Sequence, residues 1–335
     1  VSNPFDILAP QAARRLRPQQ PPRRLSPMLA TLTDQHFSDP GWIYERKLDG
    51  ERALAYRHGD RVRLASRKDQ DLNRPYPELA EALAALECED FVVDGEIVAF
   101  EGRLTSFSRL QGRMQLTDPE QARATGIAVY YYVLDLLHLE GQDTTRLPLR
   151  DRKRLLRRAL RFQDPLRYLP HRNEHGEAYF DQACRKGWEG LIAKRADAPY
   201  RQDRSRDWLK FKCVNQQELV IGGYTEPRGS RSRFGALLVG YYRDGDLVYA
   251  GKVGTGYDQA ILDRLGDRLE ELERSRSPFA DAGQIRESGA HWVAPELVAE
   301  FGFTEWTVDS KLRHPRFLGE RQDKDPREVV REQPS

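Results

Sequence analysis

Lys47 opens the run Lys47-Leu48-Asp49-Gly50-Glu51-Arg52, which places an amine, a carboxylate and a guanidinium side by side. Four further short motifs follow in order. Asp94-Gly95-Glu96-Ile97 sits inside the apolar run from Phe91 to Phe100, where carboxylates need a hydrogen-bond partner or a cation. Tyr130-Tyr131-Tyr132-Val133-Leu134-Asp135 sets aromatic residues and an aspartate on one strand, an arrangement that core packing alone also explains. Glu189-Gly190-Leu191-Ile192-Ala193-Lys194 and Trp208-Leu209-Lys210-Phe211-Lys212 complete the set. Period-two alternation puts Lys210 and Lys212 on one strand face, where two ammonium groups repel unless an anion lies between them. Alone, the first run is a weak match that reads better as a hairpin whose Asp-Gly serves the turn. Together the motifs supply a lysine nucleophile, three carboxylates for a divalent cation (Asp49, Glu96 and Glu189) and cations for phosphate. That inventory suits attack on a nucleotide α-phosphate. With a reference pKa of about 10.4, lysine attacks only where nearby cations or burial favour the neutral amine. Arg52, Lys210 and Lys212 are the candidates for that field, and they would also offset charge in the transition state.

The elements that must carry these residues are mixed. Alternating segments at Trp42 to Glu45, Arg52 to Arg57 and Arg61 to Ser66 read as antiparallel strands, with Asp49-Gly50 and Gly59-Asp60 as turns between them. Helical spacing marks Tyr76 to Glu87, Leu149 to Arg161 and Ala178 to Lys186, and strand-like runs cover Phe91 to Phe100, Ala128 to Leu137, Gly190 to Lys194 and Trp208 to Lys212. The texture then shifts to short strands with glycine turns, at Leu219 to Tyr224, Ala236 to Tyr242 and Leu247 to Val253. A helix from Gln259 to Leu272 and strands near Trp292 to Phe301 and Thr304 to Val308 follow. This predicts an α+β domain of mostly antiparallel sheets over residues 28–214 and a small β-barrel of the oligonucleotide-binding type over 215–335. Residues 1–27, rich in Pro, Arg and Gln, read as an arm with no fold of their own.

With 335 residues the chain is long enough for about two domains. Charged residues make up 32% of it, and neither a spanning apolar stretch nor a secretory leader is present, which points to a soluble cytoplasmic protein. Three cysteines, Cys88, Cys184 and Cys213, lack Cys-x-x-Cys spacing and are expected to be reduced packing residues, with no zinc site. Net charge is only +2, yet arginines cluster at 201–206 and 228–233, and their planar forks suit a nucleic-acid backbone.

The order of the motifs resembles that of the covalent nucleotidyltransferases, and from about Pro27 onward the chain is similar to ATP-dependent DNA ligases. The segment Arg321-Gln322-Asp323-Lys324 near the end resembles the last ligase motif, and its wording is nearest the bacterial end-joining ligases. The resemblance implies sealing of 5′-phosphate/3′-hydroxyl breaks through lysyl-AMP on Lys47 and a DNA-adenylate, with Mg²⁺ or Mn²⁺. It implies that Glu45 accepts a hydrogen bond from the adenine amino group, a reason to prefer ATP over GTP. Arg52 and Arg67 would hold ribose and phosphates, including the 5′-phosphate of a nick. Glu96 would contact ribose or metal, Glu189 metal, and Ile192 the nucleotide. Lys210 and Lys212 would grip the α-phosphate, and Arg321 and Lys324 would orient the departing pyrophosphate. Where this family often has an aromatic residue that stacks on adenine, the chain has Leu134; either Tyr132 supplies the ring or Leu134 packs on the base. DNA is expected to be held by these two domains in a monomer, with Arg67, Arg201, Arg204, Arg228, Arg231 and Arg233 as backbone contacts and Ku as a partner implied only by resemblance. The competing readings are a GTP-dependent RNA capping enzyme or RNA ligase and, in another class, a non-catalytic DNA-end-binding scaffold.

Overall fold

Strands that alternate in polarity bury one face, and those of the first half of the chain solve this by forming two sheets that share an apolar layer. The computed structural model describes residues 3–213, 215–227 and 232–332. Two compact units divide the chain, the first ending at Cys213. In the first unit an eight-stranded sheet runs Arg17–Pro18, Gln142–Asp143, Val129–Leu139, Asp90–Glu101, Glu51–His58, Arg61–Ser66, with Leu166–Tyr168 and Leu104–Thr105 as side branches. A five-stranded sheet runs His171–Arg172, Trp42–Lys47, Gly190–Arg195, Arg204–Lys212, Leu29–Leu32.

Parity along the strands decides what each face meets. Phe91, Val93, Ile97 and Ala99 pack with Tyr76, Leu79 and Leu83 around helix Pro77–Ala84 and with Leu155 and Leu156 of helix Leu149–Ala159. The opposite parity, Val92 and Val98, joins Leu54 and Leu134 from the first sheet and Trp208 and Ile192 from the second. On its outer face the second sheet buries Tyr44, Leu191, Ala193 and Phe211 against Tyr179, Phe180 and Ala183 of helix Gly176–Arg185.

Four features of the first unit differ from the sequence reading. The Gly59-Asp60 turn does join paired strands, but the strands on either side of Asp49-Gly50 belong to different sheets, so this run is a crossing and not a hairpin. Glycine is needed there for space: a Cβ on Gly50 would stand 2.2 Å from the Ile97 carbonyl oxygen. The N-terminal arm is folded. Its turn Pro4–Ile7 and helix Pro10–Ala13 set Leu8 and Ala12 into the core of the first sheet, and Arg17–Pro18 adds a strand. Cys184 and Cys213 are joined in a disulfide, so only Cys88 is free. The pairing follows from tertiary register. Helix Gly176–Arg185 returns the chain to Glu189, whose carbonyl accepts the Cys213 N–H at 3.0 Å. Burial pushes the half-buried Cys88 thiol up to about 12. Finally, two helices the reading left out, Phe107–Met114 and Pro119–Ala124, lie between the sheet-one strands. Both are short and capped by Ser106 and Asp118.

The second unit is a six-stranded antiparallel sheet in the order Asp246–Val253, Leu237–Arg243, Asn215–Thr225, Ala290–Phe303, Glu273–Arg274, with Arg316–Glu320 also on Ala290–Phe303. Register shifts between Ile221 and Gly223 bend its long strands. Helix Gln259–Glu271 starts at the Asp258 cap, which accepts the Ile261 N–H at 2.8 Å. Its Leu262, Leu265 and Leu269 join Val239 and Phe301 in the core, each contributing about 1.5–3 kcal/mol. The strand expected over Thr304 to Val308 is shorter; Glu305–Trp306 pairs with Leu312–Arg313 in a separate ribbon. Among the described residues no helix is long and apolar enough to cross a membrane.

Candidate active site

Strand register gathers the motif residues onto one face of the five-stranded sheet. Lys47 is opposite Gly190, which is opposite Lys212; two residues along, Glu45, Ile192 and Lys210 form the next row. Ile43, Lys194 and Trp208 form a third. Directly opposed residues share a face, and so do alternate rows. Gly190 has φ +149°, and a Cβ there would lie 1.9 Å from the Phe211 carbonyl oxygen. Only glycine fits, so the space between Lys47 and Lys212 carries no side chain.

The charges on this face are paired. Lys47 Nζ forms an ion pair with the nearly buried Glu189 carboxylate. Glu45 is enclosed: Lys153 of helix Leu149–Ala159 pairs with one oxygen and Lys194 holds the other at 2.6 Å. Burial would raise the Glu45 pKa, but the two ammonium groups more than offset it and hold the carboxyl below the ordinary glutamate value. Lys153 also donates to the carbonyls of Leu134 at 3.2 Å and Leu169 at 3.0 Å. Lys194 lies 3.8 Å over the Trp208 ring; burial lowers its pKa and Glu45 works against that.

Facing these rows, the first sheet presents Arg52, Glu96 and Tyr132 in one row. Arg52 is clamped to the buried Asp94 carboxylate through Nε at 2.5 Å and Nη2 at 2.6 Å. The Tyr200 hydroxyl donates to the same carboxylate at 2.7 Å and accepts the Met28 N–H at 2.8 Å. Despite burial, Asp94 raises the Arg52 pKa. Tyr132 and Leu134 both lie in the inter-sheet cluster with Ile192. The Tyr132 hydroxyl accepts from Arg167 Nη1 at 3.0 Å, and Arg167 is in turn held by Asp164 at 2.5 and 2.8 Å.

Other expected residues are placed differently. Asp49 accepts the Phe107 N–H at 3.1 Å, and its own N–H donates to Thr105 Oγ1 at 3.1 Å. It therefore anchors the sheet crossing to a helix start. Among the described residues no three His, Cys, Asp or Glu side chains converge as a metal site without nucleotide oxygens to complete it. Arg67 follows the strand Arg61–Ser66, half-buried. Arg201 is exposed and pairs with Asp207 at 3.1 Å; Arg204 donates to the Ala30 carbonyl at 2.7 Å. Arg233 is held by Asp263, Asp267 and Glu270, all on one helix. Arg228 and Arg231 lie outside the described residues.

In the second unit Arg321 is clamped by Asp323 at 3.0 Å twice and reaches Glu300 at 3.4 Å. Lys324 pairs with Glu218 at 3.3 Å. Register explains the grouping, since Glu218 is opposite Glu300.

Several members of the site escaped the sequence reading. Lys194 and Asp94 were inside quoted motifs, and strand parity puts them on the faces of Ile192 and Glu96. Lys153 lies within the apolar stripe Leu149, Leu156, Leu160, where a lysine has to find a buried partner. His171, opposite Glu45, gave no signal.

A lysine, a caged carboxylate and a line of cations between two mostly antiparallel sheets, in a chain that continues into a β-rich unit, define a covalent nucleotidyltransferase. The ATP dependent DNA ligase domain matches residues 27–212, and the ATP dependent DNA ligase C terminal region matches residues 230–324. The chain belongs to the ATP-dependent DNA ligases, with a nucleotidyltransferase domain followed by an OB-fold domain. This selects the DNA ligase class among the readings drawn from the sequence. It is 39% identical over 322 residues to the multifunctional non-homologous end joining protein LigD of Pseudomonas aeruginosa, covering 94% of this chain and 37% of that protein. It is 37% identical to the LigD of Mycobacterium tuberculosis, over 92% of this chain and 40% of that one. It thus spans about two fifths of the length of these relatives. The solved structure of mycobacterial DNA ligase D complexed with ATP and MES superposes with a TM-score of 0.67 at 34% identity, over 92% of this chain and 98% of that chain.

Proposed function

We propose that this chain seals 5′-phosphate/3′-hydroxyl breaks in DNA by three transfers. The Lys47 amine forms a bond to the α-phosphorus of ATP and pyrophosphate leaves. The AMP then passes to the oxygen of a 5′-phosphate, freeing the lysine, and the 3′-hydroxyl attacks that phosphate and expels AMP. The observation that carries this reading is the pair of rows Lys47–Gly190–Lys212 and Glu45–Ile192–Lys210, which set nucleophile, base acceptor and phosphate cations on one face.

Each residue then has a task. Glu45 accepts from the adenine amino group. Ile192 packs on one side of the base and Leu134 or Tyr132 on the other. Lys210 and Lys212 hold the α-phosphate across the side-chain-free gap at Gly190, while Arg52, kept rigid by Asp94, and Arg67 bind ribose and phosphate. Arg321 and Lys324 orient the leaving pyrophosphate. Glu96 and Glu189 are the carboxylates that would hold Mg²⁺ or Mn²⁺, with nucleotide oxygens completing the shell. When bound, that cation neutralises phosphate charge. Similarity to the LigD proteins supports a role in end joining in a bacterial cytoplasm, with DNA as substrate and Ku as a candidate partner.

The test is the intact mass of protein freed of nucleotide and incubated with ATP and Mg²⁺, beside GTP and Lys47→Ala. The expected result is a gain of one AMP, with ATP alone and only when Lys47 is present. No gain would refute the lysyl-AMP assignment.

A further inference from the structure

Beside helix Leu149–Ala159 opens a cleft of about 470 Å³ that none of the transfers above uses. Arg150, Arg154 and Arg157 line it, spaced so that they form one stripe of the helix. Lys153, the residue that cages Glu45, lines it too, with Tyr168 and His171. The guanidinium groups are pre-positioned: Arg150 donates to the Pro40 carbonyl at 2.6 Å, Arg154 to the Ile7 carbonyl at 3.2 Å, and Arg157 lies 5.5 Å from the centre of the Tyr168 ring. Little negative charge answers them. Glu174 is at the rim, and Asp151 lies 3.4 Å from Arg154. Burial and then the Lys153 charge hold His171 down to about 4, so the imidazole adds no charge but registers the positive field. Lys153 is already answered by Glu45, but the three guanidinium groups around one concavity repel each other, and an anion placed among them relieves that repulsion.

We propose that this cleft is a second anion site, lined by none of Lys47, Lys210 and Lys212, and that it takes a phosphoryl group, supplied either as a free diphosphate or by the backbone of duplex DNA. Arginine forks match phosphate oxygens in pairs, and a guanidinium row along a helix suits an extended anion better than a single point charge.

The probe for the free anion is methylene diphosphonate, which cannot react at Lys47, followed by calorimetry. Lys210→Gln with Lys212→Gln removes cations of the nucleotide face and is the background. Binding is expected to persist there and to weaken at least tenfold when Arg154→Gln and Arg157→Gln are added. The probe for DNA is an unbroken duplex titrated at several salt concentrations; there the two arginine changes are expected to reduce the slope by about one to two if the backbone is the source. Loss in the first arm alone assigns a free anion, and loss in the second assigns DNA. If the arginine changes alter neither, or if Lys210→Gln with Lys212→Gln already abolishes diphosphonate binding and the salt slope is unchanged, the proposal is overturned. Neither arm measures strand sealing, so this inference and the ligase reading fail separately.

Discussion

The Lys47 ammonium and the Glu189 carboxylate are partners in one ion pair, made where strand register already sets Lys47 opposite the next residue, Gly190. An ammonium is not a nucleophile, so this pair has to open before Lys47 can attack phosphorus. A cation drawn to Glu189 with the nucleotide would open it. Glu189→Gln is expected to slow AMP transfer to Lys47 by roughly 10²–10³-fold, measured in a single turnover by mass. A rate equal to wild type would show that Glu189 is only a resting partner.

Asp94 is fully buried and receives Arg52 twice and Tyr200 once. Asp94→Ala leaves a guanidinium without its counter-charge and is expected to cost about 3–5 kcal/mol. Tyr200→Phe removes two hydrogen bonds, the one given to Asp94 and the one accepted from the Met28 N–H, and should cost about 2 kcal/mol. Urea unfolding ranks the two; equal costs would mean that Arg52 finds another partner.

Burial first and the Lys153 charge second hold the His171 imidazole down to about 4, below the ordinary histidine value of about 6.5. The unfolded chain therefore binds the proton more readily. Stability from this group is fully present above about 6.5 and is lost as pH falls towards about 4. Because the side chain is only partly buried, the effect is modest. Thermal melts of wild type and His171→Asn between these pH values are expected to diverge, with the variant falling less steeply; parallel curves would refute the assignment.

Arg321 belongs to the second unit and Lys47 to the first. If Arg321 serves the departing pyrophosphate, Arg321→Ala should slow enzyme adenylation about 10²-fold and leave sealing of pre-adenylated nicked DNA near wild type. Equal losses in both assays would contradict that division of labour.

Much of the candidate site could be read from parity alone. Lys210 and Lys212 share a face because strands alternate, and the structure adds Glu45, Lys47 and Ile192 to that face through register. What parity cannot state is which strands pair. Asp49-Gly50 has the composition of a tight turn, yet it crosses between sheets because Gly50 tolerates the Ile97 carbonyl at close range. Lys153 and Cys213 were opaque for the same reason, since their partners, Glu45 and Cys184, are set by packing and not by sequence distance. The arm hid its few apolar anchors, Leu8 and Ala12, among prolines and arginines.

The two lysines on Glu45 bear on fidelity. A carboxylate flanked by Lys153 and Lys194 stays ionised through acidification that would protonate an ordinary glutamate. It therefore offers only acceptors to whatever base enters, and never a donor. A purine with an amino group at its sixth position is welcomed, whereas one with a carbonyl there meets lone pairs facing lone pairs. On the proposed reading, choice of the correct nucleotide is insulated from changes in the pH of the cell.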